Sequence, residues 1–67
     1  MTQKKLSDFE CGFICAMNSL ANGHGIGTEV CELYREIGEP TVAQIKAADM
    51  GEYDIETIAR IRKDCAR

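Results

Sequence analysis

Three breaks cut this chain into four short pieces, and each piece has the apolar spacing of an α-helix. The breaks are Asn22-Gly23, Gly38 with Pro40 close behind it, and Gly51. Glycine and asparagine accept the left-handed conformation that ends a helix, and proline has no N–H with which to continue one. No stretch alternates apolar and polar residues in the way a half-buried strand requires. The chain therefore reads as all-α, a small packing of four short helices at about residues 7–21, 29–37, 42–50 and 55–66. Residues 1–5 read as a frayed polar tail and 6–67 as a single helical domain.

The start signals agree with the stops. Ser7 or Asp8 can cap the first helix, and Thr28 the second. Thr41 with Gln44 three residues on has the spacing of a capping box for the third. Asp54 is the expected cap of the fourth helix, with Tyr53 stapled onto Ile58. The inner stripes follow by spacing: Phe9, Phe13, Ala16, Met17 and Leu20; then Val30, Leu33, Tyr34 and Ile37; then Val42 and Ile45; then Ile55, Ile58, Ile61 and Cys65. Pairs such as Glu32–Arg35 and Glu56–Arg60 sit at helical spacing on outer faces, each worth about 0.2–0.5 kcal/mol.

A chain of 67 residues is near the lower limit for folding on its own core, so disulfides, metal or association are the usual supports. Four cysteines are present, Cys11, Cys15, Cys31 and Cys65. The N-terminal segment has no apolar run after Lys4 and Lys5, so it does not read as a signal peptide. The expectation is a cytoplasmic protein with reduced, isolated thiols. There is no run of about 18 apolar residues, so no membrane span is expected.

Catalysis is not expected. The carboxylates fall mainly on outer helical positions beside bases, where they keep ordinary acidity and make poor general acids. The single histidine, His24, lies in the glycine loop Gly23–Thr28, and nothing orients it toward a thiol. That loop lacks the Lys of a phosphate-binding loop and follows a helix rather than a strand. A zinc-stabilised mini-domain drawn from the four thiols and His24 is the weakest reading, because no C-x2-C pair exists. No cofactor, metal or small-molecule substrate is inferred.

Two surfaces remain. The first helix is apolar on nearly all sides: opposite its main stripe lie Cys11, Ile14, Cys15 and Asn18, which read as an interface. Arg60, Lys63 and Arg67 form a basic stripe on the fourth helix. Residues 43–67 thus follow the grammar of a helix-turn-helix that binds nucleic acid as a dimer. Against it, the N-terminal end of that helix is acidic, and residues 28–53 carry six acids against Arg35 and Lys46. Phosphates would be repelled. The expected function is a non-catalytic accessory regulator acting by protein–protein contact, self-associating through helix one, with the nucleic-acid regulator as alternative.

Overall fold

The computed structural model describes residues 5–66. It is all-helical: α1 Asp8–His24, α2 Thr28–Glu36, α3 Val42–Ala47 and α4 Glu52–Cys65. The tail residues 1–4 and Arg67 lie outside the described residues. The core gathers Ile14, Met17 and Ala21 of α1, Val30 and Tyr34 of α2, Ile45 of α3, and Ile58 and Ile61 of α4. α4 packs on each of the other three helices, and α1 also packs on α2.

Two helix starts are as the spacing predicts. Ser7 accepts from the Glu10 amide while the Glu10 side chain accepts from the Ser7 amide. Thr41 and Gln44 form the same reciprocal pair at α3. The other two starts differ. α2 begins at Thr28 itself, behind Gly27, and α4 begins at Glu52 behind Gly51, both without a side-chain cap. Asp54 is therefore the third residue of α4 and not its cap. Tyr53 is inside the helix and 55% exposed, so the staple onto Ile58 is not formed. An acid in the first turn still complements the helix dipole.

The ends show what residue types can substitute for glycine. α2 closes with the Glu39 amide donating to Tyr34 O and the Gly38 amide to Arg35 O, with Gly38 at φ 99°. α3 closes by the same pattern, Met50 to Ile45 O and Asp49 to Lys46 O. This is the Schellman arrangement, which needs a left-handed residue after the helix. In α3 that residue is Asp49, at φ 62°, so α3 stops at Ala47 and Gly51 is left free to start α4. Asp is one of the few side chains that adopts this region at modest cost. α1 runs past Asn22-Gly23 and ends at Gly25, φ 88°.

The largest correction concerns the rotation of α1. Ile14 and Asn18 are fully buried and Met17 nearly so, while Phe9 is 74% exposed. The expected outer residues Ile14 and Asn18 face the core, and the expected inner residue Phe9 faces solvent. Both stripes are apolar enough to face inward, and spacing alone does not separate them. What separates them lies across the seam: Asn18 Nδ2 donates to Asp54 Oδ1 at 2.8 Å. A buried amide needs such a partner.

Candidate functional site

Of the four residues expected as an interface, Ile14 and Asn18 are core, Cys11 is half-buried and Cys15 is exposed. They do not form one outer patch. Cys15 is no activated nucleophile: partial burial, then the Asp54 carboxylate, then Cys11, push its thiol above the ordinary value. A nucleophilic cysteine needs the opposite shift.

The surface that α1 does present is different. Its outward positions Gly12, Cys15, Ala16, Ser19 and Gly23 are all exposed. From Cys11 to Gly23 there is no charged residue, in a chain that is 28% charged. Phe9 stands at the edge of this face, its ring 6.3 Å from that of Phe13. Beside it a hollow of about 270 Å³ runs between α1 and α2, lined by Phe13, Ala16, Met17, Leu20 and Leu33. An exposed aromatic knob next to an apolar hollow, with small residues that let another backbone approach, is the geometry of a contact surface. The signal was present in the sequence as the uncharged run, but the choice of which stripe faces inward hid it.

The seam between α1 and α4 is polar. Besides the Asn18–Asp54 bond, Asn22 Nδ2 donates to Thr57 Oγ1 at 2.9 Å, and Thr57 donates to Tyr53 O at 2.7 Å. Arg60 donates to Asn22 Oδ1. Arg60 of the expected basic stripe is thereby engaged with α1. Lys63 is exposed, and Arg67 lies outside the described residues. Glu52, Asp54 and Glu56 occupy the N-terminal end of α4, where a recognition helix would meet bases. Asn18 Oδ1 has no hydrogen-bond partner among the described residues.

The C-terminal end of α4 holds the second correction. Cys31 and Cys65 form a disulfide, with their Cα atoms 5.6 Å apart. The expectation of isolated thiols fails for this pair because the start of α2 and the last residue of α4 meet, a tertiary neighbourhood invisible to spacing along the chain. The ligand set of the zinc reading is not assembled, since two of its thiols are bonded to each other; among the described residues no group of three or more His, Cys, Asp or Glu could hold a metal ion. Nearby, Tyr34 donates its hydroxyl to Pro40 O at 2.6 Å, and Arg62 Nη1 donates to Tyr34 Oη at 2.6 Å and to Pro40 O at 3.2 Å. Burial holds the Tyr34 hydroxyl above its ordinary pKa, against the pull of Arg62.

No helix of the described residues is long and apolar enough to cross a membrane. Comparison with models of protein families, with curated proteins and with solved structures found no match to this chain.

Proposed function

We propose that this chain is a small non-catalytic accessory protein, acting by protein–protein contact and pairing with a second copy of itself through the outer face of α1. The observation that carries the reading is the exposed Phe9 beside the apolar hollow, on a helix face without charge from Cys11 to Gly23. The occupant best matched to this face is another α1, antiparallel to the first. A twofold axis at mid-helix would bring each Phe9 toward the other copy's hollow, because the knob lies at one end of the face and Leu20 near the other. The same arrangement sets Asp8 and Glu10 of one copy near His24 of the other, and opposes the two helix dipoles. A 17-residue helix is about 25 Å long. One such face buries an area at the low end for specific complexes, so the pair should be concentration-dependent.

Light scattering or sedimentation across a concentration series tests this. Wild type should rise above its 7.4 kDa monomer mass, and Ala16→Glu, at an exposed helical position, should return it to monomer with its helical circular dichroism intact. A wild type that stays monomeric throughout, or an Ala16→Glu variant that still dimerises, refutes the reading. On heparin or DNA at low salt the protein should flow through; salt-sensitive retention lost on substitution of Arg60 and Lys63 would put the nucleic-acid regulator first.

A further inference from the structure

The Cys31–Cys65 disulfide is half-buried at the edge of the core, and the groups around it are not symmetric. Two adjoining hollows, of about 330 and 410 Å³, share Arg35, Cys65 and Ala66. Cys65 lines both, whereas Cys31 lines only the second, with Gly27 and Thr28. Both cysteines are half-buried. An incoming reagent thus has more approach to the Cys65 sulfur.

The electrostatics favour the same direction. Cys31 is the fourth residue of α2, at the positive end of a helix whose N-cap Gly27 supplies no side-chain acceptor. Arg35 follows one turn later on the same face, where i,i+4 neighbours meet. The helix end acts on Cys31 alone, whereas Arg35 lines both hollows and so supports a thiolate at either sulfur. Cys65 is the last residue of α4, at its negative end, and follows Asp64. Both features oppose a thiolate there, against the pull of Arg62, which lines the first hollow with it. In thiol–disulfide exchange the sulfur with the lower thiol pKa is the better leaving group.

We propose that the Cys31–Cys65 disulfide is a directional exchange site for a low-molecular-weight thiol, attacked at Cys65 with Cys31 as the leaving group. The thiolate of the small thiol forms a bond to Cys65 Sγ. The Cys31–Cys65 bond breaks, its electron pair passes to Cys31 Sγ, and that sulfur takes a proton from water. A second small thiolate then attacks the small-molecule sulfur of the mixed disulfide, releasing Cys65 as a thiolate that is protonated in turn. Two small thiols are oxidised to one disulfide, and the protein disulfide is reduced to two thiols. This site shares no lining residue with the hollow beside the α1 face and does not depend on the pairing proposed above.

Glutathione is the probe. The oxidised, full-length protein is treated with it at millimolar concentration without denaturant, quenched in acid at intervals, alkylated and mapped by fragment-ion mass spectrometry. Early samples should carry glutathione on Cys65 and alkyl on Cys31. Arg35→Gln, an exposed substitution checked for native circular dichroism, should slow the first step by about threefold, as expected for a leaving group of higher pKa. Glutathione found first on Cys31, a disulfide left untouched, an Arg35→Gln variant as fast as wild type, or a protein whose four cysteines all alkylate even after mild oxidation each overturns the proposal.

Discussion

α4 is held on both flanks, and the two flanks use different chemistry. Toward α1 the hold is a ladder of polar side-chain hydrogen bonds at one-turn intervals: Asn18 to Asp54, Asn22 to Thr57, and Arg60 back to Asn22. Toward α2 it is one covalent bond, Cys31–Cys65, reinforced by Arg62 on the Tyr34–Pro40 corner. The ladder is specific about rotation, because each rung needs its acceptor at one angle, but each rung adds only about 1 kcal/mol net. The clasp says little about rotation and acts mainly by restricting the unfolded chain. A small core needs both: one device to choose the orientation of α1, another to make that choice stable.

Breaking the clasp should have the largest effect. Cys65→Ser removes the restraint on a loop whose ends are 34 residues apart, which corresponds to about 3–4 kcal/mol in the chain-entropy account. Denaturant titration with and without reductant measures it, and wild type under reductant should match the variant. If the loss is below about 1 kcal/mol, the ladder carries the fold and the contrast drawn here is reversed.

The ladder should come second. Asn18→Ala deletes a fully buried amide, its bond to Asp54 and some core volume, for about 2 kcal/mol. Asn18→Leu should cost less, since it removes the same polar atoms but keeps most of the core volume. A loss for Leu as large as for Ala would mean that the bond to Asp54, more than the volume, sets the packing of α1.

The smallest effect is alkaline. The Tyr34 and Cys15 groups both have raised pKa values in the fold. The unfolded chain gives up these protons first, so stability is full below the ordinary values of 9.0 for the thiol and 10.0 for the phenol and falls as pH rises through that range. Ultraviolet tyrosinate titration should show a late-ionising phase above the ordinary phenol value, and Tyr34→Phe should abolish it. A native protein without that late phase would remove the buried corner from the α2 flank.

Most of the architecture was legible in local signals. Ser7, Thr41 with Gln44 and Gly38 before Pro40 mark helix ends through bonds that reach no more than a few residues. Asp49 shows the limit of such reading: its left-handed turn displaced the end of α3 from the glycine expected to make it. The rotation of α1 and the pairing of Cys31 with Cys65 were not legible, since each depends on a partner more than 30 residues away. That rotation also moves Ile14 and Asn18 from the expected outer patch into the core; the outer face it leaves is the uncharged run from Cys11 to Gly23.

The long reach of the α1–α4 ladder also sets an order in time. Asn18 meets Asp54 36 residues further along the chain. At ribosomal speeds of about 5–20 residues per second, roughly 2–7 seconds separate the synthesis of the two. Until α4 has been made, the part of α1 that it will cover lacks its partner, alongside the stripe that will stay outside. Neighbouring nascent chains on one message carry the same helix in the same condition. The charge-free stretch that suits a mature pair is thus also a hazard during translation, and the arrival of α4 removes half of it.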